Sequence, residues 1–208
     1  MKKGNFIFVA FVTLLLCACK TEQPGYKKIG THWAWVIPAT FEHGEMIDSV
    51  NDEVWKMSDT ATFTILQDGK YAKDKNNVYF QGYTIDYATP ATFHLLTNGY
   101  SADKENVFFQ TYPLISAIPS TFKILQWPYS KDSKHVYCGS LPLPTSDVDN
   151  FEVVKSGGGT ESTATDVFLL LNPEYSWIDT SRYKGVIYSS DGIGKTKTEY
   201  FDGFKKRK

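Results

Sequence analysis

Ten residues are written three times in this chain, at intervals of 29. Tyr71-Ala72-Lys73-Asp74-Lys75-Asn76-Asn77-Val78-Tyr79-Phe80 returns as Tyr100 to Phe109 and again as Tyr129 to Cys138. Three positions hold in every copy: Tyr71, Tyr100 and Tyr129; Asp74, Asp103 and Asp132; Val78, Val107 and Val136. A unit of about 29 residues cannot enclose a core of its own, so neighbouring copies must cover one another. That requirement constrains the fold more than any other feature of the sequence.

Each unit reads as strands. It opens with Phe63-Thr64-Ile65-Leu66, Phe93-His94-Leu95-Leu96 or Phe122-Lys123-Ile124-Leu125, and Phe151-Glu152-Val153-Val154 begins a fourth copy. Phe at position one and an aliphatic residue at position three alternate with a polar position two, so one face is expected to be buried and one wet. His94 falls on the wet side. Asp74-Lys75-Asn76-Asn77 and Asp103-Lys104-Glu105-Asn106 read as turns, because Asp and Asn side chains bond the nearby backbone. Val78-Tyr79-Phe80, Val107-Phe108-Phe109 and Val136-Tyr137-Cys138 are β-branched and aromatic, as strands prefer. The first unit carries one extra residue in its turn at Gln67 to Lys70. The link between units is 11 residues, with Pro90 or Pro119 three residues before the next Phe. The expected fold is all-β: stacked antiparallel β repeats of about 29 residues, meander- or solenoid-like, with little helix. The aromatic content of 15%, with 13 Tyr and 14 Phe, agrees with strands. Three or four units are few for a closed propeller.

The text Asp74-Lys75-Asn76-Asn77-Val78-Tyr79-Phe80, with Pro-Ala-Thr-Phe before the next copy, resembles the DKNYY repeat family of bacterial exported proteins. The resemblance covers about residues 62–154. The third copy departs from it, with Ser133-Lys134-His135 after the Asp. The family implies export and a repeat architecture. It carries no catalytic residue over to this chain.

The two ends differ from the repeats. Lys2 and Lys3 precede an apolar run, Phe6 to Leu16, long enough for a signal-peptide core and too short to span a bilayer. Leu16-Cys17-Ala18-Cys19 then resembles a lipobox, which makes Cys19 the expected site of lipidation and the mature N-terminus. Several acyl chains, each stabilised by about 0.8 kcal/mol per buried methylene, make a stable anchor. Lys20 after the cysteine leans toward the outer membrane. The expected divisions are a lipoprotein signal peptide at 1–18, a tether at 19–30 and a degenerate N-terminal repeat or cap at 31–61. The DKNYY-type repeats follow at 62–154, then a C-terminal β cap at 155–208. Pro38-Ala39-Thr40-Phe41 suggests the degenerate copy, and Val50 to Met57 a helical turn or two. In the C-terminal part, Lys155 to Thr163 is expected as a flexible Gly/Ser/Thr loop and Val167 to Leu171 as a buried strand or short core helix. Gly185 to Ser189 and Glu199 to Gly203 are expected as a closing hairpin, the latter a worn echo of Val78 to Gly82.

Candidate chemistry is sparse. His32, Glu42, His43 and Glu45 have no metal-ligand spacing, so no metal is expected, and no cofactor. Asp74 and Asp103 are accounted for by turns. A calcium site needs six to eight oxygens, more than one turn offers. Cys138 takes the place of Phe80 and Phe109 and is expected as a small buried residue. Net charge is −1 and the basic tail Phe204 to Lys208 is short, so no nucleic-acid partner is expected. No catalytic residue is expected and the chain is not read as an enzyme. The leading expectation is a membrane-anchored envelope lipoprotein with a binding or protein-interaction role and a protein partner. One alternative is an immunity-type, toxin-neutralising lipoprotein. The other is a carbohydrate-binding or carbohydrate-active surface protein, using Tyr79, Phe108 and Tyr137, which alternate away from the Val face. Packing within the sheets is the competing reading for those three aromatics.

Overall fold

The structure is a computed structural model that describes residues 23–42, 45–51, 56 and 58–207. The signal segment, Cys19, His43 and most of Val50 to Met57 lie outside the described residues. The chain opens with a three-stranded antiparallel sheet, β1 (Gly25–Ile29), β2 (His32–Glu42) and β3 (Glu45–Asn51). Two expectations change here. Gly25–Ile29 is a strand paired along its length with β2, so the tether is shorter than 19–30. Pro38 to Phe41 lies inside the long β2 strand and is no copy of the repeat.

Three four-stranded meanders follow. The first holds β4 (Thr64–Ile65), β5 (Tyr71–Lys73), β6 (Val78–Phe80) and β7 (Tyr83–Thr84). The second holds β8 (His94–Leu95), β9 (Tyr100–Ala102), β10 (Val107–Phe109) and β11 (Tyr112–Pro113), and the third β12 (Lys123–Ile124), β13 (Tyr129–Lys131), β14 (Val136–Cys138) and β15 (Leu141–Pro142). The order in each is consecutive and antiparallel. The fourth, two-residue strand was concealed in sequence by its position inside the link.

A fourth unit closes the stack. It begins with β16 (Glu152–Lys155) and is interrupted by an insert holding β17 (Glu161–Ala164), α1 (Thr165–Leu171) and β18 (Gly185–Tyr188). It then resumes with β19 (Ile193–Lys195), β20 (Tyr200–Asp202) and β21 (Lys205–Lys206), in the sheet order β16-β19-β20-β21. The expected closing hairpin is therefore replaced: β18 pairs with β17, and β20 pairs with β19 and β21. The echo of Val78 to Gly82 is real but one residue out of register. Tyr200 stands opposite Lys195 as Val78 stands opposite Lys73.

Both faces of each meander are buried, which fixes how the units stack. Tyr71, Val78 and Phe80 pack against Phe93 and Phe108 of the next unit. Tyr100, Val107 and Phe109 do the same with Tyr137 and Phe122 of the third. Tyr129, Val136 and Cys138 meet Phe151 and Phe201 of the fourth. The N-terminal sheet covers the first free face, with Tyr26 and Trp35 against Ala72 and Tyr79. At the far end the corresponding face carries Ile193, Lys195, Tyr200 and Asp202. Of these, Tyr200 is exposed and the other three half-buried, so the last unit ends the series with a wetter surface. A small residue lies opposite each central aromatic: Ala72 opposite Tyr79, Ser101 opposite Phe108, Ser130 opposite Tyr137 and Gly194 opposite Phe201. A Cβ on Gly194 would come within 2.3 Å of the Phe151 ring, so the opening Phe of the fourth unit needs that space.

Candidate functional site

The residues that define the repeat converge on its turns. Asp74 is buried, and its Oδ1 accepts hydrogen bonds from the amides of Asn76 (2.7 Å) and Asn77 (2.8 Å). Its Oδ2 accepts from the Asp59 amide and from the Tyr79 hydroxyl, both at 2.8 Å. Asp132 repeats the pattern with the amides of Lys134, His135 and Ile118 and the Tyr137 hydroxyl, at 2.7 to 2.9 Å. Asp103 accepts from Glu105, Asn106 and Thr89, and Phe108 stands where the tyrosine would be. In the fourth unit Thr196 takes the Asp position and accepts from Thr198 and Glu199. The Thr of the opening motif is used as well: Thr62, Thr92 and Thr121 each accept from the first residue of the turn, Lys75, Lys104 or Ser133. Burial works to raise the Asp132 pKa, but the surrounding donors outweigh it and hold the carboxyl below the usual range. These aspartates are turn hubs, with their oxygens aimed at the backbone.

Interfaces between units reuse the tyrosines. Tyr71 donates to the Gly99 carbonyl (3.0 Å), and Tyr129 to those of Gly192 (3.2 Å) and Gly203 (3.1 Å). Burial pushes the Cys138 thiol up to about 12, as a core residue in the place of a Phe. Tyr79, Phe108 and Tyr137 are completely buried, which corrects the reading that offered them to a carbohydrate. The cause is the stacking: a side chain pointing away from the Val face points into the preceding unit. His94 is exposed, as its alternation implies.

Over residues 20–112 the chain matches the model of the DKNYY family. Across this stretch the chain is similar to DKNYY proteins. The match reaches further toward the N-terminus than the visible repeats, through the first sheet, and stops within the second unit. No curated protein and no solved structure matches the chain.

The surface that the repeat units leave open lies beside the stack. Position three of the opening motif, expected to be buried, is exposed at Ile65 and half-buried at Leu95 and Ile124, because it sits on a two-residue edge strand that the next unit only partly covers. Between the second and third units a cleft of about 230 Å³ is lined by Asn98, Tyr100, Phe109, Ile124, Trp127, Gly158 and Thr160. Trp127 stacks on Phe109, with ring centroids 4.5 Å apart, and its Nε1 donates to the Gly159 carbonyl. The glycine loop expected to be flexible forms one wall, and it is pinned. Gly157 donates to the Trp127 carbonyl, while Gly158 and Gly159 donate to the Asp191 carboxylate. The Ser189 hydroxyl and these two amides hold Asp191 down at about 2.

The insert also reaches back to the earlier units. The Tyr87 hydroxyl donates to the Ser181 carbonyl (3.3 Å), Arg182 donates to Asn106 (2.9 Å), and the Ser116 amide donates to the Tyr183 hydroxyl (3.1 Å). Arg182 also lies over the rings of Tyr87 and Tyr183, at 5.5 and 5.6 Å. Residues 94 positions apart in the chain thereby meet. Among the described residues no three His, Cys, Asp or Glu side chains gather as a metal-binding group. Also among them, no helix is long and apolar enough to cross a membrane.

Proposed function

We propose that this chain is an exported lipoprotein, acylated on Cys19 and held on the outer membrane, whose repeat stack serves as a rigid binding scaffold and not as an enzyme. The observation that carries the scaffold reading is the use of the motif itself. The Asp and Thr of each repeat are consumed in closing their own turns, and the central aromatics in stacking, so repetition here builds a surface. A partner then meets the flank, where the Trp127 cleft offers an apolar floor between walls fixed by hydrogen bonds. The anchor reading is supported by the lipobox at Leu16 to Cys19 and by the apolar run before it. No nucleic-acid partner belongs to this picture.

The test is acyl labelling of the expressed chain, with mass analysis of its mature N-terminus. The expected result is a lipid on Cys19, membrane fractionation, and loss of both in Cys19→Ser. A mature chain that starts at Met1 without lipid overturns the anchor. For the scaffold, partners are captured from intact envelopes with the native chain and with Trp127→Ala. Turnover of an envelope substrate by the purified chain, abolished by one substitution, overturns the non-enzymatic reading.

A further inference from the structure

The insert contains a segment that is apolar on both of its sides. From Thr165 to Ile178 the chain runs through α1 and then a 3-10 turn, Pro173–Tyr175. Phe168, Asn172, Tyr175 and Ile178 face inward and are buried. Phe168 packs on Tyr175, Tyr188 and Phe204 with centroids 5.3 to 5.4 Å apart. The opposite side carries Val167, Leu170, Leu171 and Trp177, which are 47%, 83%, 80% and 58% exposed. A surface helix ordinarily turns a polar stripe outward, and one that is apolar all round has a second apolar environment to meet. Four large apolar side chains within eleven residues form a patch of the kind that marks an interaction site.

We propose that this patch enters the lipid bilayer, so that the protein lies along the membrane and touches it at two places. The inference rests on the acylation of Cys19. Only five residues separate Cys19 from Gly25, the first residue of β1. The six steps from Cys19 to Gly25 span about 22 Å at most, which keeps the first sheet near the membrane surface. The patch lies on the insert along the flank of the stack, between Phe204 of the fourth unit, which Phe168 touches, and Ser181, whose carbonyl accepts from Tyr87 in the link after the first unit. Both contacts are made together only when the stack axis runs parallel to the bilayer. The composition suits the interface: Trp177 is the residue type that settles at headgroup level, and the leucines reach the acyl boundary. The Lys205 ammonium sits over the Phe204 ring, 5.4 Å from its centroid, and so flanks the helix with a cation. Asp166 and Glu174 are the acids on the outward side, so a neutral lipid surface is the appropriate probe.

The experiment uses the full chain, purified from its host membrane and reconstituted into phosphatidylcholine vesicles with brominated acyl chains. The expected result is quenching of the Trp177 emission, identified as the component lost in Trp177→Phe. In Leu170→Ser/Leu171→Ser the quenching falls toward the level of that variant, while circular dichroism and vesicle flotation stay unchanged. An unquenched Trp177 component in the wild-type chain overturns the proposal, whether water, a protein partner or a second copy covers the patch. The mass of the Cys19 residue is read on the same sample. A lipidated chain that floats without Trp177 quenching leaves the anchor standing and removes the helix contact. A chain with unmodified Cys19 that still shows quenching removes the anchor and keeps the helix contact.

Discussion

Asp132 binds four donors, so its loss is felt beyond the single side chain. Asp132→Ala removes the acceptor of three part-buried amides and of the buried Tyr137 hydroxyl and is expected to cost about 2–4 kcal/mol in urea unfolding. Asp132→Asn keeps one acceptor oxygen and costs less. The sign of the pH effect follows from the direction of the shift. The folded pKa is depressed, so the contribution is complete above the unfolded value of about 3.9. It fades as the pH falls through the folded value, and Asp132→Asn flattens acid unfolding in that window. The second unit offers the reverse test. Phe108 occupies the position from which Tyr79 and Tyr137 donate to their aspartates, and the Asp103 Oδ2 accepts from Thr89. Phe108→Tyr is expected to supply that bond and to raise stability by about 1 kcal/mol, read as a higher urea midpoint.

Each meander turns from its third to its fourth strand through a left-handed residue: Gln81, Gln110, Gly139 or Gly203. In the first two units this residue has room for a side chain. At Gly139 (φ +63°) a Cβ would lie 2.2 Å from the Ile187 carbonyl oxygen, and at Gly203 it would lie 2.0 Å from that of Ser189. The insert presses its backbone against those two turns, with the Ser140 amide donating to Ile187. Gly139→Ala therefore combines backbone strain with a backbone clash. It is expected to lose about 3 kcal/mol or more, measured by chemical denaturation, whereas Gln110→Ala stays near neutral. The same contrast explains what was legible in the sequence. Turns and core strands were readable because Asp, Asn and the aromatic run speak for their own neighbourhood. The fourth strand was not, since Tyr83-Thr84, Tyr112-Pro113 and Leu141-Pro142 are two residues long and keep no residue type in all three copies. The glycine loop looked free because its partner, Asp191, lies more than thirty residues away and has no local signature.

Across the whole molecule, the period of 29 announced stacking, and the stack is open at neither end: an N-terminal sheet covers one face and a more polar fourth unit the other. What sequence could not place was the insert, whose apolar run Val167 to Leu171 reads as core and lies half on the outside. Its pairing partners are set by distance in space and not by spacing along the chain. The contacts of Ser181, Arg182 and Tyr183 with Tyr87, Asn106 and Ser116 have a consequence for how such a protein can evolve. Ordinary solenoids grow by duplication, because each copy knows only its neighbours. Here the returning arm works as a gauge of fixed length, cut to the height of the units it spans. A chain given one more copy between Asn106 and Phe122 is expected to keep its meanders by circular dichroism, yet to lose protection from hydrogen exchange around Tyr87, where the arm no longer reaches. The number of copies is thus set by the tail that counts them.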